Sequence, residues 1–224
     1  MAADSDSRLL HLGCGLNAAP GWLNIDGSWS AWIARRPWLK AGLGVFGVRI
    51  DAAWSRDIVS HDLRNPLPFP DGRFTGVYAS HVLEHLYFEE AQRLLTECHR
   101  VLEPGGVLRV VVPDLAAIIG EYADGKGFAA AVAADTAADR VNLRLLMHSA
   151  DAPSLARRLF RVFCDFHSHK WMYDTASLSF HLQRAGFHDI HPCALYDSRL
   201  VDIKAVERPD RILGGEGICV EARK

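Results

Sequence analysis

Leu9-Leu10-His11-Leu12 runs directly into Gly13-Cys14-Gly15, and Trp22-Leu23-Asn24-Ile25-Asp26 follows soon after. The first stretch reads as a short buried strand that turns on glycines, and the second alternates apolar and polar residues as a second strand. Glycines in such a turn let backbone N–H groups approach a ligand without a Cβ in the way. In open α/β sheets that loop lies where ligands bind, beyond the carboxyl ends of the strands. Taken alone, Gly13-Cys14-Gly15-Leu16-Asn17-Ala18 is either a plain tight turn or a match to the dinucleotide pattern G-x-G-x-x-A. A dinucleotide site needs a full helix after the glycines and an acid about 20 residues on. Here Pro20-Gly21 breaks any helix at once, and Asp26 arrives 11 positions after Gly15. A nicotinamide-dependent oxidoreductase is therefore disfavoured, although Asp26 can still accept both hydroxyls of a ribose.

Outward from this loop, strands and helices alternate. Ile58 to Leu63 is a weak third strand and Phe74 to Ser80 a fourth. Between them Pro66-Leu67-Pro68-Phe69-Pro70-Asp71-Gly72 is too rich in proline for anything but a rigid loop. The period then changes. Leu83, Tyr87, Ala91, Leu94, Leu95, Cys98, Val101 and Leu102 recur three and four apart, predicting an amphipathic helix that Pro104-Gly105-Gly106 ends. Val107 to Val112 reads as a strand buried on both faces. Leu115 to Lys170 is mostly helical in pattern. Asp174 is the expected N-cap of a helix to Ala185, stopped by Gly186. Phe187 to Ala194 and Ile218 to Ala222 predict the last strands. The order implies an α/β fold with a mostly parallel sheet.

Bulk properties agree with one globular unit over residues 1–224, with inserts at 27–57 (rich in tryptophan) and 115–170 (helical). The chain of 224 residues is 49% hydrophobic and 23% charged, with a formal net charge of −2. No global field recruits nucleic acid. No apolar run reaches the roughly 18 residues a bilayer span needs, and Met1 to Arg8 has no signal-peptide pattern. Cys14, Cys98, Cys164, Cys193 and Cys219 are scattered without a Cys-x-x-Cys pair. A reducing, cytoplasmic setting without a structural zinc is expected.

A wider resemblance is carried by His11-Leu12-Gly13-Cys14-Gly15, by Pro20-Gly21-Trp22-Leu23-Asn24-Ile25-Asp26, and by His61-Asp62-Leu63 with Pro66 to Asp71. It continues through Ser80-His81-Val82-Leu83-Glu84-His85-Leu86, Arg100 to Gly106, Val112-Pro113-Asp114-Leu115, His169-Lys170-Trp171-Met172-Tyr173-Asp174 and Ala185-Gly186-Phe187. In this order the motifs resemble small bacterial class I methyltransferases of the type 11 group, over most of the chain. The resemblance implies a Rossmann-like sheet of seven strands, the last antiparallel, with helices on both faces. It implies S-adenosyl-L-methionine as cofactor and S-adenosyl-L-homocysteine as product. Gly13, Cys14 and Gly15 would line the methionine part, Asp26 would hold the ribose, and Asp62 and Leu63 would flank the adenine. Ser80 and His81 would lie near the methyl group. One departure stands out: where many relatives carry an acid two positions before the first glycine, this chain has His11.

The candidate catalytic residues are His81, His167 and His169. A histidine titrates near neutrality and suits base work. His81, ending a central strand, is a base or else a packing or capping residue. His85 could share a face with His81 only if both were helical, and with Glu84 it is expected to support the loop. His167-Ser168-His169, with Asp165 and Trp171 nearby, is an acceptor-pocket candidate. Its ligand set is incomplete for a metal, so none is expected. Asp114 is expected to cap a helix. Trp29, Trp32, Trp38 and Trp54, with Arg35, Arg36 and Lys40, form packing, a lid, or a surface touching membrane or a lipid-linked substrate. The expected activity is transfer of a methyl group to an oxygen or nitrogen of a small molecule or glycan-like acceptor. The alternative is a non-catalytic cofactor-binding scaffold of the same fold. A nucleic-acid methyltransferase is not expected, because Ala79-Ser80-His81-Val82 lacks the Asn/Asp-Pro-Pro-aromatic motif.

Overall fold

The computed structural model describes residues 6–28, Trp32, Arg36, 54–55, 57–124, 136–145, 168–213 and 217–224. Seven strands form one sheet: β1 Leu9–Leu12, β2 Leu23–Asp26, β3 Val59–Ser60, β4 Phe74–Ser80, β5 Leu102–Pro113, β6 His188–Pro192 and β7 Gly217–Arg223. Their order is β3-β2-β1-β4-β5-β7-β6. The first five run parallel, and β7 is antiparallel to both β5 and β6. This is the expected Rossmann-like sheet. β1 lies between β2 and β4, so the chain order reverses at the glycine loop, where such sheets bind ligands.

The period of two along each strand divides the core between the faces. Leu10, Leu12, Val77, Ala79, Leu108, Val110 and Val112 face one side. There they meet helix α1 (Phe88–Val101) through Leu94, Leu95, Cys98 and Val101, and helix α4 (Thr175–Arg184) through Leu178 and Leu182. Each such leucine, fully buried, contributes about 1.5–3 kcal/mol. Leu9, Trp22, Tyr78, Val111, Leu200, Ile203 and Val206 form the opposite layer. His11 packs here too, against Trp22 and Tyr78, with Nδ1 3.2 Å from Asn24 Oδ1. Burial pushes its pKa down to about 4, against the pull of the Asn24 hydrogen bond.

Caps explain the helix starts. Asp174 Oδ1 accepts from Ser177 N at 2.7 Å before α4, and Asp114 Oδ1 accepts from Ala116 N at 2.9 Å before α2 (Leu115–Ala123). A further helix, α3, spans Ala137–Leu145, so the described parts of the 115–170 insert are largely helical. The proline-rich loop is rigid because Arg100 donates to the Phe69 and Leu67 carbonyls and to Asp71.

Three boundaries differ from the sequence reading. β3 holds only Val59–Ser60, and it pairs at the sheet edge with β2 alone. The helix expected from Leu83 starts at Phe88, after a separate 3-10 turn at Leu83–His85. β5 begins at Leu102, not Val107, because Pro104-Gly105-Gly106 is absorbed as an irregularity opposite Phe74 to Gly76. A left-handed Gly105 (φ 80°) makes that detour accessible. Most of the 27–57 insert lies outside the described residues.

Candidate functional site

The site is built at the carboxyl ends of β1, β2 and β4. Gly13 and Gly15 both take left-handed backbone, with φ of 61° and 55°. A Cβ at Gly13 would sit 2.5 Å from Val82 Cγ2, so only glycine lets the turn close on β4's exit. A Cβ at Gly15 would meet nothing within 4 Å: the loop faces open space there. Asp26 fastens this arrangement. Its Oδ2 accepts from Gly15 N at 2.9 Å and its Oδ1 from Ser28 N at 2.8 Å. Each oxygen keeps a second lone pair for a ligand hydroxyl. Gly27 was not singled out from sequence. A Cβ there would come within 2.8 Å of the His61 carbonyl and 3.0 Å of Asp62 Cα, so it sets the spacing between the ends of β2 and β3.

The other residues expected at a cofactor gather nearby with distinct roles. Cys14 is buried, and burial pushes its thiol up to about 12, so it acts as a small apolar side chain. Asp62 holds Arg64 through both carboxylate oxygens at 2.6–3.0 Å. Burial would raise its pKa, but the Arg64 hydrogen bonds keep it below the usual carboxylate range. Leu63 is half-buried against the core.

His81 follows Ser80 at the end of β4 in left-handed backbone, φ 54°. That conformation costs a non-glycine residue on the order of 1–3 kcal/mol and recurs at functional sites. It turns the ring so that Nδ1 lies 3.0 Å from Glu84 Oε1, while Nε2 is 3.4 Å from the Arg211 carbonyl. Glu84 is fully buried. Burial alone would raise its carboxyl, yet the His81 imidazole holds it below the ordinary carboxylate range. His81 and His85 therefore do not share a helical face; they flank Glu84.

His85 Nδ1 donates to the Ser168 carbonyl at 3.3 Å, and its ring lies 4.9 Å from that of His169. His169 is only 6% exposed. Trp171 is half-exposed and stacks near Phe88, with ring centres 4.8 Å apart. His81, Glu84, His85 and His169 thus converge, while His167 lies outside the described residues. The convergence across more than 80 residues of chain was not visible from spacing; the only local sign was an acid between two histidines.

Among the described residues no helix is long and apolar enough to cross a membrane. No curated protein sequence matches the chain. A solved S-adenosylmethionine-dependent methyltransferase from Thermotoga maritima, described as a possible histamine N-methyltransferase, is 18% identical; the alignment covers 97% of this chain and 82% of that one, with a TM-score of 0.51. Another from Archaeoglobus fulgidus is 17% identical over 99% and 88%, with a TM-score of 0.48. At 18% identity the likeness to the Thermotoga maritima protein concerns the fold. Residues 38–110 match the methyltransferase domain family of type 11. The left-handed glycines, the open space over Gly15 and the carboxylate ending β2 suit an adenosyl ligand. The match over residues 38–110 and the seven-stranded sheet together support a class I methyltransferase of the type 11 group with S-adenosylmethionine as cofactor.

Proposed function

We propose that the chain methylates an oxygen or nitrogen of a small-molecule or glycan-like acceptor, with His81 as the general base. The observation that carries this reading is the His81–Glu84 contact of 3.0 Å at the end of β4. A buried carboxylate 3.0 Å from Nδ1 favours the tautomer protonated there; Nε2, 3.4 Å from the Arg211 carbonyl, would leave that contact to take a proton from the acceptor. Glu84 acts through His81 and is a positioning residue. S-adenosylmethionine, when bound, supplies an electrophilic methyl group on a sulfonium. Gly13, Cys14 and Gly15 would hold its methionine part and Asp26 its ribose. Asp62 and Leu63 would flank its adenine, and Ser80 and His81 would lie near its amino acid end and methyl group. His167, His169 and Trp171 remain acceptor-side candidates.

Calorimetry with S-adenosylmethionine, S-adenosylhomocysteine and NAD tests the first step. The two adenosyl ligands are expected to bind and NAD is not. Charge-assisted hydrogen bonds are worth about 1.5–3 kcal/mol each, so Asp26→Ala should weaken cofactor binding at least about tenfold. His81→Ala should slow methyl transfer about a hundredfold or more with cofactor affinity changed less than about threefold. A folded Asp26→Ala with unchanged affinity refutes the ribose assignment, and full transfer by His81→Ala refutes the base.

A further inference from the structure

We propose that Glu84, His85 and His169 form a binding site for one divalent transition-metal ion of the zinc class. One potential ligand atom from each lies within 4.8 Å of the others. An ion with ligands at about 2.0–2.2 Å would draw them to roughly 3.5 Å apart. The valences are prepared for it. Glu84 is fully buried, and neither carboxylate oxygen has a hydrogen-bond partner, although Oε1 lies 3.0 Å from His81 Nδ1. Nδ1 of His169 is likewise buried without a partner. In His85 the Nδ1–H is spent on the Ser168 carbonyl, so Nε2 carries the lone pair. A backbone carbonyl on the far nitrogen is the usual orienting partner of a metal-bound imidazole.

Two imidazoles and a carboxylate suit zinc and its neighbours, and three protein ligands leave one position open. The site also joins two distant segments already held together by backbone: Lys170 N donates to the Glu84 carbonyl at 2.7 Å and Trp171 N at 3.3 Å. Sequence reading expected no metal because His167-Ser168-His169 is incomplete alone; the missing ligands sit on the turn after β4. A second grouping, His191, Cys193 and Glu221, is unlike it, since Glu221 is already engaged by Arg109, Ser198 and Arg199.

The test uses the full chain without a histidine tag, stripped by chelator and titrated with Zn²⁺ and Co²⁺. One equivalent should bind, raise the melting temperature, and give Co²⁺ a visible spectrum of low coordination number. His169→Ala and Glu84→Gln should each weaken binding about a hundredfold while circular dichroism stays that of the wild type. Should either variant not fold, His85→Gln takes its place. No tight equivalent in the wild type, or wild-type affinity in the folded variants, overturns the proposal. Cofactor calorimetry on the stripped protein is a separate readout, so failure here is distinguishable from failure of the methyltransferase reading.

Discussion

The Arg109 centre and the Glu84 centre are both buried and ionic, yet they are finished to different degrees. Arg109, pointing from β5 into the second core layer, places all five of its N–H donors: on Glu207 twice, on Glu221, and on the carbonyls of Asp197 and Ala194. The carboxylates are in turn covered by Tyr196 N, Ser198 Oγ and Arg199 N. Glu84 has one imidazole at 3.0 Å, and neither of its oxygens has a hydrogen-bond partner. A saturated network fixes a shape, whereas a centre with open valences is equipped to take something. Removing one partner from a saturated buried pair leaves a bare charge and costs about 3–5 kcal/mol. Glu207→Ala should therefore lose about that much stability in urea unfolding while cofactor and metal affinities per folded molecule stay unchanged. A loss under about 1 kcal/mol would place the Arg109 centre in the same class as a surface pair and end the comparison.

Acid separates the two next. His11, His85 and His169 all have folded pKa values below the ordinary 6.5, with His11 at about 4. Between pH 4 and 6.5 the unfolded chain binds more protons at such groups, so stability rises with pH across that window and is lost on acidification. For His11 the shift corresponds to about 3 kcal/mol. Melting temperature followed from pH 7 to 4 should fall, and His11→Gln should flatten the fall. An equally steep profile in the variant would remove His11 from the account.

The smallest expected effect is on the stability of Glu84→Gln, which deletes a buried charge that is incompletely paired. Measured on metal-free protein, the change should stay within about 1 kcal/mol, yet methyl transfer should slow about a hundredfold, about 2.7 kcal/mol of barrier. The His81-dependent limb of the pH–rate profile should shift at the same time. If stability collapses and the limb does not move, Glu84 belongs with Arg109 as a structural ion.

Legibility in the sequence followed the range of the interactions. Gly13, Gly15 and Asp26 are close in sequence, and the glycine pattern with the early acid located the loop that the structure forms. Alternation and helical period located six of the strands and α1 and α4 with small errors at the ends; β3 shrank because one neighbouring strand is all that supports it. Arg109 could not be anticipated, since its carboxylates lie 98 and 112 positions away. Nor could the meeting of His85 with Ser168, separated by 83 positions. The left-handed turn at His81 is equally invisible to pattern, because nothing in a histidine announces a positive φ.

One feature of the insert's ends bears on how such a domain changes over time. The chain leaves the sheet at Asp114 and comes back at Tyr173 directly beside it, with Leu115 N donating to the Tyr173 carbonyl at 2.9 Å. Departure and return are thus clamped to each other, independently of what lies between them. The entropy of closing a loop rises only with the logarithm of its length, about 0.6 kcal/mol per doubling. Changes of length between Asp124 and Ser168 therefore weigh little on that closure, whereas Ser168 to Trp171, which hold the Glu84 and His85 turn, stay with the sheet. Chimeras that keep Asp114 and Ser168 to Tyr173 and exchange what lies between them are the natural unit of exchange.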